Sequence, residues 1–233
     1  MEWNEFFGKK NGGNRFIMIN KKSSLASESN QTKDQIHTLI TKIDAAPTET
    51  DNYLKLATIL IGKGSFEQAV QLLEQAKKLV QNPQDLDYDL AVGYYMQGDF
   101  KHALELLNHI PNDDLVLYQK ALVMQKVGQH QKALAYALTI KQLDDRVYEL
   151  LGDIWLSLGQ LAEAQANYEK ICPTKRGAKI NFLLGITVLE RNRDLAEKYF
   201  SQAKEEDYQF YQSAQKQYNA ILKMLSDVEK DND

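Results

Sequence analysis

One alanine recurs through this chain at nearly even intervals. Ala69 is followed by Ala103, Ala133, Ala164 and Ala196, at spacings of 34, 30, 31 and 32 residues. A glycine precedes the first four by five positions: Gly64, Gly98, Gly128 and Gly159. A second small residue lies twelve positions before each of those alanines: Ala57, Ala91, Ala121 and Gly152. In the fifth copy Gly185 precedes Ala196 by eleven, so one residue is missing from the turn. The similarity extends to whole stretches, for GSFEQAVQLL at Gly64 returns as GDFKHALELL at Gly98. A period of this length marks a stack of supersecondary units, none of which can bury its apolar face alone.

Within a period the pattern is helix, turn, helix. In the second copy, Leu86 to Gln97 places Leu90, Ala91 and Tyr94 on one side of a first helix, helix A. Phe100 to Asn108 places Ala103, Leu104 and Leu107 on one side of a second, helix B. Small residues at facing positions let two backbones approach, and larger side chains fill the flanking holes. Glycine at the turn supplies the left-handed residue that ends helix A without a Cβ penalty.

These residues resemble the tetratricopeptide repeat (TPR). The fourth copy, YELLGDIWLSLGQLAEAQANYEKICP, carries Tyr148, Leu151, Gly152, Trp155, Gly159, Ala164, Tyr168 and Pro173 near the family's positions. The first carries Tyr53, Leu56, Ala57, Leu60, Gly64, Ala69, Leu73 and Ala76. The third departs from the pattern, since Lys120 stands where Leu56, Leu90 and Leu151 stand elsewhere. The resemblance covers about residues 50 to 203 and implies an all-α fold. That fold is a right-handed α-α superhelix, or solenoid, of about five helix pairs.

Both ends of the array differ from its middle. Residues 34–47 place Ile36, Leu39, Ile40 and Ile43 on one helix face before Pro47, which predicts a half repeat over the open N-terminal edge. Residues 205–226 predict a capping helix, with Tyr211, Ala214, Tyr218, Ile221, Leu222 and Leu225 on one side and a face rich in Gln and Lys on the other. The expected organisation is therefore an irregular arm and Ser-rich linker (1–33), a repeat array (34–204), a cap (205–226) and an acidic tail (227–233). The third and fourth units fall three to four residues short of 34, in links such as HIPNDDLV, so a tighter or irregular superhelix is expected there.

Composition narrows the function class. A net charge of −4 gives no polybasic surface for nucleic acid. The lone cysteine, Cys172, excludes a disulfide within the chain and suits a reducing compartment. No apolar run reads as a signal peptide or membrane span, so a cytoplasmic location is expected.

In the resembled family helix A lines the concave wall. The inward candidates are Tyr88, Val92, Tyr95 and Met96 in the second unit and Tyr118, Leu122 and Gln125 in the third. The fourth gives Glu149, Asp153 and Leu156, the fifth Phe182, Ile186 and Leu189. One reading makes them an apolar and aromatic groove for a peptide; the other makes several of them interhelix core. One subclass of the family clamps a C-terminal carboxylate with Lys, Arg and Asn on helix A. Here the corresponding positions hold Thr58, Val92, Leu122, Asp153 and Ile186, which lack those cations. Acids crowd residues 81–118 against Lys101 alone. Cations gather later, at Lys170, Lys175, Arg176, Lys179, Arg191, Arg193 and Lys198. That asymmetry would orient a polarised partner, or simply reflects solvated helix faces.

No catalytic constellation stands out. His37, His102, His109 and His130 lack metal-site spacing, and His102 and His109 share a helical face without a third ligand. Asp113-Asp114 and Asp144-Asp145 are expected as N-caps rather than an acid–base pair. GKKNGG at Gly8 lacks the ending of a phosphate loop, and Cys172 has no ordered base and reads as a buried or bystander thiol. The expectation is a non-enzyme without cofactor: a scaffold that binds a peptide of a partner protein. A peptide-sensing regulator and an assembly chaperone are the alternatives. In the arm, Trp3, Phe6 and Phe7 share one side of a short helix. Three roles are open to it: membrane-surface or partner docking, an intramolecular ligand for the chain's own groove, or a mobile arm without a role.

Overall fold

The computed structural model describes the backbone of residues 21–231 and the side chains of 31–223. The expectations for the arm, including Trp3, Phe6 and Phe7, lie outside the described residues. Every regular element among the described residues is helical. A first helix, α1 (Lys21–Ala45), is followed by five A–B pairs. These are α2 (Thr50–Gly62) with α3 (Phe66–Ala76), α4 (Asp87–Gln97) with α5 (Phe100–His109), α6 (Asp114–Lys126) with α7 (His130–Thr139), α8 (Asp145–Ser157) with α9 (Leu161–Tyr168), and α10 (Ala178–Val188) with α11 (Arg193–Glu206). A last helix, α12 (Tyr208–Asp231), closes the chain. The fold divides into two compact units inside α6, between Val123 and Met124.

The turn between A and B is written the same way four times. Gly98 takes φ 84°, and Gly64, Gly128 and Gly159 take 73–77°. The N–H after each glycine donates to the carbonyl five residues back: Ser65 to Leu60, Asp99 to Tyr94, Gln129 to Met124 and Gln160 to Trp155, each at 2.9 Å. That is the double-bonded helix stop in which a left-handed residue satisfies orphan carbonyls. The residue after the glycine then starts helix B, its carbonyl accepting from the recurrent alanine's N–H, as in Asp99 and Ala103 at 3.1 Å. The fifth turn is one residue shorter and has no glycine. It closes instead through Asn192, whose N–H reaches Val188 at 2.8 Å and whose side chain accepts from Leu195 N–H at 3.1 Å.

The missing residues of the third and fourth periods lie in the links. The first and fourth links, 77–86 and 169–177, each contain a 3-10 turn, Pro83–Leu86 and Pro173–Lys175. The second and third are only 110–113 and 140–144. The expected caps form at both. Asp113 accepts from Val116 N–H at 2.8 Å, and Asp144 from Arg146 and Val147 N–H at 3.0 and 3.1 Å.

Helix A and helix B touch through a volume exchange. Ala57 and Ala91 are the small partners in pairs whose B helices bring Leu73 and Leu107. Where the A helix offers glycine, the B helix brings a ring. A Cβ on Gly152 would lie 2.3 Å from Tyr168, and one on Gly185 2.4 Å from Phe200. In the third pair Lys120 is only 4% exposed. Its ammonium is retained by donating to Asn112 Oδ1 at 2.7 Å, and burial pushes its pKa down.

Both ends differ from expectation. Residues 21–33, expected as linker, are helical as part of α1. The stretch holds Ser, Ala, Glu and Gln but no Gly or Pro, so nothing in it stops a helix. Likewise α12 runs past residue 226 to Asp231. It packs on both α10 and α11, as a further A helix would.

Candidate functional site

The unit that ends at Val123 carries a continuous aromatic and apolar wall. On α4, Tyr88, Val92, Tyr95 and Met96 fall three and four residues apart and so share one face. On α6, Tyr118 and Leu122 do the same. Val92, Tyr95 and Leu122 are half-buried, and Met96 is 41% exposed. The wall stands on a core of Ala91, Ala103, Leu107, Val116 and Val123. Tyr95 is seated against Phe100, their centroids 5.8 Å apart. Burial, and then the neighbouring Tyr118, push the Tyr95 phenol up to about 12. It therefore stays neutral at physiological pH and offers a hydroxyl within an apolar surface. Beside it Asp89 is half-buried, and burial pushes its carboxyl up.

The unit that begins at Met124 treats its candidates differently. Glu149 and Asp153 of α8 face Lys179 of α10, each at 2.7 Å from the ammonium. The second Asp153 oxygen accepts from the Tyr168 hydroxyl at 2.7 Å. Burial opposes the charge on Lys179, but Asp153 and then Glu149 outweigh it, and its pKa stands above the ordinary lysine value. Burial first, then Asp153, hold the Tyr168 phenol well above its usual range. These two carboxylates, expected among the groove positions, are both engaged by Lys179 of the next A helix.

Four further candidates are core, which corrects the expectation for them. Phe182 is 2% exposed and lies under Phe200, Phe210 and Tyr211, with centroids 5.4, 6.3 and 5.9 Å away. Ile186 joins the same cluster as Ala203 and Ala214. Both are covered because α12 packs over α10 as another A helix. Leu156 packs with Tyr168, Leu183 and Leu184, and Gln125 is 3% exposed. Leu189 is half-buried beyond the end of α10.

Several of the late cations are also engaged. Lys175 meets Asp145 at 2.8 Å, and Lys170 lies over the Tyr148 ring at 5.2 Å. Arg176 donates to the carbonyls of Ile171 and Glu169, and Arg191 to Gln165. Among the early acids, Asp87 pairs with Lys77 at 2.5 Å and Asp99 with His102 at 2.6 Å. Part of the charge asymmetry is thus internal ion pairing, Asp87 with Lys77 and Lys175 with Asp145.

A recess of about 560 Å³ between α3 and α5 escaped the sequence reading. Glu74, Tyr94, His102, Glu105 and His109 line it. Several of its polar groups are already engaged: Tyr94 donates to Glu74, Asp99 engages His102 Nδ1, and the Glu105 carbonyl engages His109 Nδ1 at 2.7 Å. The sequence signal was the seven-residue spacing of the two histidines. Among the described residues no group of three His, Cys, Asp or Glu could hold a metal ion. Cys172 is exposed, its thiol held below the usual value chiefly by a hydrogen bond with Thr174. No described helix is long and apolar enough to cross a membrane.

Comparison with known proteins agrees with this architecture. Tetratricopeptide-repeat family models match residues 60–123 and 145–172. No curated protein matches the chain. Among solved structures, a chain of the APC/C hetero-tetramer Cut9–Hcn1 aligns with a TM-score of 0.67 at 15% identity, over 80% of this chain and 40% of its own length. The present chain therefore spans less than half of that relative. YrrB, described as a TPR protein with an unusual peptide-binding site, aligns with a TM-score of 0.53 at 19% identity, over 76% of this chain and 97% of its own. TTC0263, a thermophilic TPR protein of Thermus thermophilus, aligns with a TM-score of 0.58 at 19% identity, over 71% and 98%. At these identities the likeness is one of fold.

Proposed function

The chain is a tetratricopeptide-repeat protein, and on that footing we propose that it is a non-catalytic interaction scaffold. It takes a peptide segment of a partner protein along the α4–α6 wall. The observation that carries the proposal is the half-exposed surface of Tyr88, Val92, Tyr95, Met96 and Leu122 on two successive A helices. Such a surface offers rigid aromatic anchors with few rotatable bonds to immobilise. The fold likeness to YrrB, whose description names a peptide-binding site, supports the same class of ligand. The preferred segment is apolar with a flanking cation, since Asp89 borders the wall.

The test is selection of peptide ligands from a display library against the full chain, followed by affinity measurement with Tyr95→Ala and Met96→Asp. Central anchors of this kind cost about 2 kcal/mol or more on truncation, so a loss of about thirtyfold is expected. If variants that melt like the parent bind every selected peptide unchanged, the wall is not the site.

A further inference from the structure

We infer that the partner peptide crosses the α4–α6 wall as an extended chain, with Gln119 donating to a main-chain carbonyl and Asp89 accepting a main-chain N–H. The inference rests on the groove reading above and names the form of ligand the groove takes.

Gln119 is a polar side chain at an apolar station. It lies three residues after Val116 and four before Val123, so it shares a face of α6 with two core valines. It is 4% exposed, and its Nε2 has no hydrogen-bond partner. A buried amide left unpaired is a cost to the fold, and such a group calls for a reason.

The other repeats supply the comparison. Gln119 stands two residues before the small residue Ala121. The equivalent positions are Lys55 before Ala57, Asp89 before Ala91, Leu150 before Gly152 and Leu183 before Gly185. Both leucines are buried. Leucine therefore fits this station, and it stands there on α8 and α10, whose groove positions are paired or core. In the unit with the open wall the row reads Lys55, Asp89, Gln119 instead. Asp89 is half-buried and makes no ion pair among the described residues, while Asp87 is held by Lys77. An acceptor on α4 and an unpaired donor on α6 thus occupy one row across the wall.

Those two groups match a main chain. Each residue of an extended segment other than proline offers one N–H and one C=O. A helical ligand uses both internally and would leave Gln119 unpaired. Alternate side chains of an extended segment turn toward the same surface, where Tyr88, Val92, Tyr95 and Leu122 receive them. The Gln119 side chain is long and unbranched, and its rotation brings the amide to the ligand carbonyl. Main-chain bonds grip any sequence, and the rings and aliphatic chains of the wall select among sequences.

The experiment uses the full chain and peptides selected by display. Affinity and Tm are measured for the parent, for Gln119→Leu, which writes the residue found at this station in α8, and for Gln119→Met, which keeps the unbranched shape. Each peptide is also made as a series of esters, in which oxygen replaces one main-chain N–H at a time. The exchange removes a donor and weakens the adjoining carbonyl as an acceptor. Both variants are expected to melt at or above the parent temperature and to bind every selected peptide about tenfold more weakly. One ester is expected to weaken binding to the parent about tenfold and to add no loss in Gln119→Met. An ester at a second position should lose its effect in Asp89→Leu. Variants that bind every peptide as the parent does overturn the inference. An ester loss equal in the parent and in Gln119→Met overturns it as well. Variants that melt lower and bind normally assign Gln119 to the fold, with the same consequence. If Tyr95→Ala weakens binding while Gln119→Met does not, the inference alone fails. If neither weakens it, the groove reading fails with it.

Discussion

Gly152→Ala, the addition of one methyl group in the middle of a helix, should destabilise the fold, against the usual helix preference for alanine. The added Cβ would stand 2.3 Å from Tyr168 Cε1 and 2.5 Å from Cδ1, far inside ordinary contact. Relief requires the ring to move by about 1 Å. Tyr168 is fully buried, and its hydroxyl donates to Asp153 at 2.7 Å, so the ring cannot move without weakening that bond. Overpacking of this kind costs about 1–3 kcal/mol, and a hydrogen bond to a charged acceptor contributes about 1.5–3 kcal/mol. Alanine returns about 1 kcal/mol of helix propensity. The net expectation is a loss of about 2 kcal/mol, read as a fall of about 4–8 °C in Tm by circular dichroism. The decisive comparison is the same substitution in a Tyr168→Leu background. There the pair becomes Ala with Leu, the combination already used by Ala57 with Leu73 and Ala91 with Leu107, and the added methyl should stabilise by about 1 kcal/mol. A double-mutant cycle should therefore show a coupling of about 3 kcal/mol. A neutral Gly152→Ala, or an equal cost in both backgrounds, would refute the volume exchange.

Phe182→Ala should cost about 3–5 kcal/mol in chemical denaturation and leave the affinity of a wall-bound peptide unchanged in the folded fraction, because the ring is core beneath α12. Lys179→Met should remove an alkaline limb of the stability profile. The folded pKa of Lys179 is raised from 10.5 and that of Tyr168 from 10.0. The stability these groups contribute is thus full below about pH 10 and lost as pH rises. Urea melts from pH 8 to 11 should show the parent declining more steeply than the variant. Asp144→Ala should cost about 1 kcal/mol at pH 7, by loss of the α8 cap. Arg146, foremost, holds the Asp144 carboxyl below 3.8 in the fold, so that contribution is present above the unfolded pKa and vanishes as pH falls through the folded one. Melts at pH 7 and pH 2.5 should find the variant and parent closer together at the lower pH.

The repeat and its turns were legible because they are local. A glycine that must take φ near 80° and an alanine five residues later are fixed by bonds that span one turn of chain, and the sequence carries both at every copy but the last. The caps at Asp113 and Asp144 were legible for the same reason. What could not be read was how each A helix is met by the next. Glu149 and Asp153 read as groove positions until Lys179 arrives, 30 and 26 residues downstream. Phe182 reads as groove until α12, expected only as a cap, lies over it.

The two compact units therefore use one motif to opposite ends. Residues 88, 92, 118 and 122 occupy the same helical phase as 149 and 153, so backbone geometry does not separate them. The chemistry of the following A helix does. Where α6 follows α4 it brings Tyr118 and Leu122, which extend an apolar surface without neutralising it. Where α10 follows α8 it brings Lys179, which draws two carboxylates inward and ties them to the buried Tyr168. A charge pair of this kind satisfies itself and leaves little to a partner, whereas half-covered aromatic rings gain further from being covered. Specificity in this chain should thus reside on α4 and the start of α6, and exchanging Lys179 for an apolar residue would free the α8 carboxylates without creating a second wall.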